Sequence, residues 1–446
     1  MSESPPIEAE SLDFKKILPI IFIVFVDLMG LTIIIPIIPF YTLSFNAPPV
    51  MIGLVSAAYP LMQLIGGPVL SSLSDRYGRK PILALAQVGT FLSLVMLGFA
   101  NALWMIIAAR LLDGITGANL PTVQAAIADQ TTAKTRSQGL GLIGAAFGLG
   151  FILGPVISGI ALTLSGNNYS SPAFVASGFA FLSIILTTFV FKETLPPEKR
   201  GQPADGPNGF SFKKLVDGVR DPVIGALFIL IFLQQVVFFA FQIMFAPFSL
   251  NRLGLNSVGN TIVFVFVGMI SVIVQGGLIG KLTTRFGERR LLIYGLGILA
   301  IGLILVGFTP QQSVPWYSEE AIITELQQGQ SDTAIDITEQ IELLPSENNQ
   351  GITGLIFLLI TMVPIVVGAS VLQPSVNSLI TQRVNPTEIG AALGISAAFV
   401  SLANIFGPLW GGVAFDFIAP QAPFWIGGAV TAVLVPFAIR RVKSAQ

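Results

Sequence analysis

Apolar residues in this chain gather in blocks of about twenty, separated by short polar stretches along most of its length. A helix rising 1.5 Å per residue needs roughly that many residues to cross about 30 Å of hydrocarbon. The blocks predict twelve spans, near residues 17–43, 51–72, 81–99, 103–127, 138–164, 172–191, 222–250, 257–280, 290–309, 352–379, 389–416 and 421–439. Helices must do the crossing, because lipid offers no partner to an unpaired backbone group. Twelve spans put both termini on one side, and cytoplasmic loops should hold the Lys and Arg. With the N-terminus inside, all but two of the 23 basic residues fall on the cytoplasmic face, the exceptions being Arg110 within a span and Arg252 in an outer loop. The pattern therefore predicts an all-α, multi-pass protein of the cell (inner) membrane with both termini cytoplasmic.

The stretch 193–221 is rich in Pro, Gly and charge and reads as a cytoplasmic linker between a six-helix bundle at 1–192 and another at 222–446. About thirty such residues cannot bury a core of their own. The bundles are repeats. Ser71 to Lys80, with Asp75-Arg76-Tyr77-Gly78-Arg79-Lys80, matches Gly280 to Arg289 at an offset of 209, and Gly154-Pro155 matches Gly407-Pro408 at 253. The difference is an insertion in the second half, at 310–351, which falls outside the cytoplasm. It carries Glu319, Glu320, Glu325, Asp332, Asp336, Glu339, Glu342 and Glu347 and no Lys or Arg. It reads as a solvated acidic surface with short amphipathic helices around Ile322-Ile323 and Ile335, or as a lid that concentrates cations at the mouth.

Composition narrows the chemistry. The chain is 53% hydrophobic and 11% charged, against about a quarter charged in soluble domains. Its net charge of −1 makes no case for nucleic acid, and the polar, acidic first sixteen residues are unlike a cleavable signal peptide. The sequence has no Cys and no His, which removes thiol nucleophiles, Cys/His metal sites and His-based proton shuttles. No catalytic residue, metal site or cofactor is expected. Gly280-Lys281 is followed by Leu282 and lacks the upstream glycine of a phosphate-binding loop, so an ATP-driven pump is excluded as well. Proton handling falls to carboxylates.

Asp27 lies about 15 Å into the first span by helix rise, near the bilayer midplane, where a charge costs several kcal/mol and is functional by default. Arg110 enters the fourth span from the outer side to a similar height, with Asp113 one turn further in. These three are the candidate proton-coupling residues: Asp27 accepts the proton, Arg110 tunes it, and Asp113 shares or competes for the arginine. A static Arg110–Asp113 pair at i, i+3 is the competing reading. The second half offers neutral groups instead, Gln234, Gln235, Phe238, Phe239 and Gln242 on the seventh span and Gln373 and Asn377 on the tenth. An aromatic and amide lining suits a moderately apolar ligand.

Four segments in order carry a family signature: Asp27-Leu28-Met29-Gly30-Leu31 with Ile35-Pro36-Ile37-Ile38-Pro39; Leu73 to Pro81; Arg110 to Ala118 with Ala126-Ile127-Ala128-Asp129; and Gly144 to Gly159. The chain resembles the drug:proton antiporter branch of the major facilitator superfamily, most of all its tetracycline- and multidrug-efflux transporters. The resemblance covers essentially the whole chain. It implies two six-helix bundles around a central cavity, and no enzyme. It implies export of a small, drug-like molecule in exchange for protons by alternating access, with no cofactor beyond the proton gradient. The working unit implied is a monomer. It further implies that Asp75, Arg76, Gly78, Arg79, Lys80 and Asp129 form a conformational latch between the second, fourth and eleventh spans. Gly150, Gly154, Pro155 and Gly159 match the exporter motif of the fifth span, whose glycines offer one smooth face to a neighbouring helix.

The chain also departs from the tetracycline group. Asp113 replaces a small residue, Ser71 and Ser158 replace glycines, and the ninth span lacks that group's acid and histidine, which argues against tetracycline as cargo. A proton-coupled importer or uniporter of a sugar or organic solute shares the fold and is the alternative.

Overall fold

A computed structural model describes residues 13–132, 135–201, 212–327, 344–385 and 388–442. Twelve of its helices are long and apolar enough to cross a membrane: α1 (Phe14–Ile34), α2 (Pro49–Tyr77), α3 (Arg79–Gly98), α4 (Leu103–Asp129), α5 (Gln138–Leu164), α6 (Ser170–Phe189), α7 (Gly225–Leu253), α8 (Ser257–Phe286), α9 (Glu288–Val306), α10 (Thr353–Thr381), α11 (Ile389–Phe417) and α12 (Ala422–Arg441). Each matches an expected span. Among the described residues the only β pairing is a single bridge between Ser313 and Gln350.

Two spans are broken where continuous helices were expected. The first ends at Ile34, turns at Pro36 and resumes as a short helix, Ile38–Leu43. Pro36 has no N–H to continue the ladder. The short helix is pinned by Tyr41, whose hydroxyl donates to the carbonyls of Leu97 and Ala100, both at 3.1 Å. The span at 103–127 likewise divides into Leu103–Thr116 and Leu120–Asp129. A third irregularity had no sequence signal: α8 contains a π turn at Ile273–Leu278, a device that interrupts helices at functional positions.

Packing repeats between the halves. In the first, α1 lies against α5 and α6, and α3 against α4 and α6; in the second, α7 lies against α11 and α12, and α9 against α10 and α12. The two halves meet along α2–α11 and α5–α8. Both seams close at the face opposite the termini, the far face. Gly53 sits against the carbonyl of Pro408, and any side chain there would collide with backbone. Gly412 likewise abuts Val50, and Gly159 meets Thr261. At the face carrying the termini no such close approach is seen at the glycines of these helices. Gly141, Gly144 and Gly148 of α5, Gly276, Gly277 and Gly280 of α8, and Gly390 and Gly394 of α11 all look onto open space. The seams between the halves are thus closed at the far face, while these glycines at the terminal face meet no neighbour.

Candidate functional site

The break in α4 builds the centre of the first half. Gly117 closes the outer segment by bonding the Asp113 carbonyl at 2.6 Å, and the helix restarts at Leu120 with Pro121 in its first turn. Pro is tolerated there because its missing N–H would have no partner in any case. In the turn between, Asn119 projects toward α1, and its Nδ2 donates to Asp27 Oδ2 at 2.6 Å. Oδ1 of Asp27 is buried without a partner. Toward the far face, Arg110 Nη1 donates to Asp113 Oδ2 at 3.1 Å, and both side chains are buried. The guanidinium lies over the ring of Tyr59 on α2, 4.7 Å from its centroid. The Tyr59 hydroxyl accepts from Gln63 Nε2 at 3.2 Å.

Of the two readings of these charges, the geometry found is the Arg110–Asp113 pair, with Asp27 apart from the arginine's bonds. The arginine serves Asp113 and Tyr59, and Asp27 is held by an amide. Arg110 and Asp113 stand one turn apart on the same outer helix, and the turn at Gly117–Asn119 brings Asn119 to Asp27. The static i, i+3 pair is the arrangement found, with Asn119 inserted beside it. Asp113 remains near enough to Asp27 to act on it through charge.

The neutral residues of the second half divide. Gln235 donates to Gln373 Oε1 at 3.5 Å, joining α7 to α10, and Gln373 is exposed. Asn377 accepts from Ser396 of α11 at 3.0 Å. Phe238 is instead part of an aromatic stack with Phe239 and Phe241, the latter against Phe245 and Phe424. Phe239 also packs over Gly407 of α11. Gln234 is buried, and Gln242 is half-buried one face-repeat beyond Gln235. Gln235 and Gln373 therefore form the polar patch, while Phe238 and Phe239 serve packing as well.

At the terminal face Arg79 is the hub of the α2–α3 turn. It donates to Asp75 at 2.5 Å, to Asp129 at 3.2 Å and to Ser74 Oγ at 2.7 Å, and its side chain is 6% exposed. Gly78 adopts φ +106, a region open to glycine, and a Cβ there would strike Glu193. That carboxylate accepts from the amides of Arg79 at 2.9 Å and Lys80 at 3.1 Å, capping α3 where negative charge is favoured. Thr194 Oγ1 donates to Asp129 at 3.1 Å, and Gly201 N to the Asp75 carbonyl at 3.1 Å. Arg76 lies outside the hub, over Tyr77. The expected latch to the eleventh span is absent from this arrangement: among the described residues the bonds of Asp75, Arg79 and Asp129 stay within the first half and its linker. Gly390 and Gly394, at the start of α11, look onto open space.

The glycines of α5 do not form one sliding face either. Gly150 and Gly154 pack on α1 at Thr32, Gly159 turns to α8, and Gly141, Gly144 and Gly148 face the opening. A helix carrying glycines on several sides serves several neighbours. The acidic insertion also differs from a solvated surface. Glu325, on a short helix Glu319–Gln327, is 4% exposed and fully bonded, whereas Ile335, Asp332, Asp336, Glu339 and Glu342 lie outside the described residues.

Asn119, Tyr59, Glu193 and Glu325 are the residues that sequence reasoning missed. Asn119 had a signal, since Gly117 and Pro121 bracket it as helix breakers. Tyr59 and Glu193 act only through contacts distant in sequence.

The chain matches the Major Facilitator Superfamily profile over residues 20–324. It is 27% identical over 414 residues to a tetracycline resistance protein, class B, of Escherichia coli, covering 91% of this chain and 89% of that protein. To multidrug resistance protein 2 of Bacillus subtilis it is 27% identical over 431 residues, covering 95% of each. Among solved structures, the nucleoside transporter NupG superposes with a TM-score of 0.70 at 12% identity over 96% of this chain and 99% of that one. A D-xylose-proton symporter does so at 0.69 and 18% over 98% and 99%. Such structural likeness at low identity concerns the fold. The chain belongs to the Major Facilitator Superfamily, and is a multi-pass membrane transporter rather than an enzyme.

Proposed function

We propose that this transporter is a proton-coupled antiporter that exports a small, moderately apolar organic molecule by alternating access, with Asp27 as the proton-accepting group. The observation that carries this reading is the Asp27 carboxylate, deep in α1, with one oxygen on Asn119 and the other unpartnered. A buried acceptor left open is costly, so its retention suits a group that gains and loses a proton. The Arg110–Asp113 pair beside it supplies a fixed field that survives either protonation state.

In this reading the terminal face is cytoplasmic, the membrane is the inner membrane, and one chain suffices. The cavity loads from the cytoplasm in the described state. Gln235 and Gln373 bond each other only loosely, at 3.5 Å, and are free to exchange that bond for one to a ligand. When the terminal face closes, the start of α11 around Gly390 meets the Asp75–Arg79–Asp129 hub, completing the latch. The relatives bear tetracycline and multidrug resistance names, which supports a drug-like cargo over a sugar.

The test is uptake of a substrate panel, tetracycline and lipophilic cations included, into inverted proteoliposomes under an imposed pH gradient. The wild type should accumulate at least one compound and collapse the gradient as it does so, and Asp27→Asn should do neither. Gradient-driven accumulation undiminished in Asp27→Asn would overturn the role of Asp27.

A further inference from the structure

The 310–351 insertion is rooted in the second half. Gln312 N and Val314 N donate to the carbonyls of Arg252 and Leu253 at the end of α7, both at 2.9 Å, and Gly351 N returns to Ser313 O at 2.8 Å. Gln312 Oε1 then accepts from Gly354 N at the start of α10. From this base the helix Glu319–Gln327 reaches over the far-face seam and lies against the short helix Ile38–Leu43 of the first half. Its Glu325 carboxylate enters the seam. Oε1 accepts from Ser257 Oγ at 2.5 Å and Ser257 N at 3.2 Å, at the start of α8, and from the Tyr169 hydroxyl at 2.9 Å, at the start of α6. Oε2 accepts from Asn167 Nδ2 at 3.0 Å, in the α5–α6 turn.

The two halves therefore share one buried carboxylate. Ser257 moves with Glu325, since both belong to the second half. Asn167 and Tyr169 do not. Tyr169 is buried and fixed against the ring of Tyr41, 5.7 Å away, so it cannot follow if the halves part. Any opening of the far face must break both of these bonds.

We propose that the insertion is a clasp, in which Glu325 joins the halves across the far face and biases the transporter toward the state open at the terminal face. It rests on the alternating-access part of the function above, but on neither the proton nor the cargo. These bonds are sheltered from water, and breaking them leaves buried polar groups unpaired. Losing them should shift the balance of states by about tenfold or more.

The absence of native cysteine makes the test direct. Spin labels at Leu164→Cys and Gln311→Cys report separation at the far face, and labels at Gln138→Cys and Lys281→Cys report it at the terminal face. By pulsed electron resonance, Glu325→Ala should gain a longer far-face distance and a shorter terminal-face one relative to the clasped parent. Tyr169→Phe, which keeps the carboxylate and the ring, should move the same way by less. Glu325→Gln, still able to bond all three partners, should stay near the parent. If the parent moves between two distance sets while Glu325→Ala and Tyr169→Phe leave the balance unchanged, the clasp is overturned and the transport reading survives. If no protein leaves the described state under any pH gradient or ligand, both are overturned.

Discussion

Asn119 holds Asp27 by one oxygen at 2.6 Å and leaves the other bare. The bond joins the turn of α4 to the middle of α1, so the break in one helix and the acid in the next act as a unit. Their coupling should be measurable. A double-mutant cycle of Asn119→Ala and Asp27→Ala, read by thermal unfolding in detergent, should give an interaction of about 1.5–3 kcal/mol, the usual worth of a bond to a charged group. Additive effects would mean that the bond contributes nothing.

Arg110 and Asp113 are buried together, and removing one leaves the other uncompensated. Arg110→Ala or Asp113→Ala alone should each cost about 3–5 kcal/mol, whereas Arg110→Met with Asp113→Ala should recover most of that loss. Unfolding midpoints of the three variants check the order. The double variant should remain transport-deficient if the pair's field matters to Asp27.

Arg79 bridges two carboxylates at fixed angles, which a lysine ammonium cannot reproduce. Arg79→Lys should therefore lose transport nearly as fully as Arg79→Ala. Because the hub is complete within the first half, both should also lower the melting temperature of the resting protein. A hub that worked only as a latch to α11 would leave that temperature unchanged.

Burial pushes the Glu325 carboxyl above the usual carboxylate range, outweighing the donors from Ser257, Tyr169 and Asn256. Tyr169 is the titratable group in contact, Glu320 lines the same pocket, and among the described residues no Lys or Arg pairs with the carboxylate. The clasped form holds a proton more tightly than the released form does. The clasp is thus strongest below the ordinary carboxylate pKa and weakens as external pH rises through the raised one. Far-face distances recorded against external pH should lengthen with alkalinity in the parent and stay flat in Glu325→Gln. The same slope in both would remove Glu325 as the sensor.

Much of the fold was legible because a membrane span is a matter of length and hydropathy, which sequence states directly. The breaks were legible in part. Pro36 and Pro121 stand in plain view, but whether a proline bends, ends or merely tilts a helix depends on contacts made elsewhere, here those of Tyr41 with Leu97 and Ala100 and of Asn119 with Asp27. The buried charges were found, and so was the Arg110–Asp113 pair as one of two readings; the amide partner of Asp27 was not. Asp27 and Arg110 were placed at one height by helix rise, but height does not choose partners, and Asn119 in the turn after Gly117 takes the Asp27 carboxylate. Glu325 was invisible among seven acidic neighbours in its loop, since only the approach of Asn167 and Tyr169, some 156 residues away in sequence, distinguishes it.

The bonds of Glu193 to α3 and of Gly201 to Asp75 have a mechanical consequence. They fasten the first part of the linker to the first half, so the covalent leash between the bundles begins at Gly201 rather than at the end of α6. From there to the helix Phe212–Arg220 the chain can reach about 40 Å at full stretch. That length, rather than the thirty or so residues between α6 and α7, sets how widely the terminal side can gape.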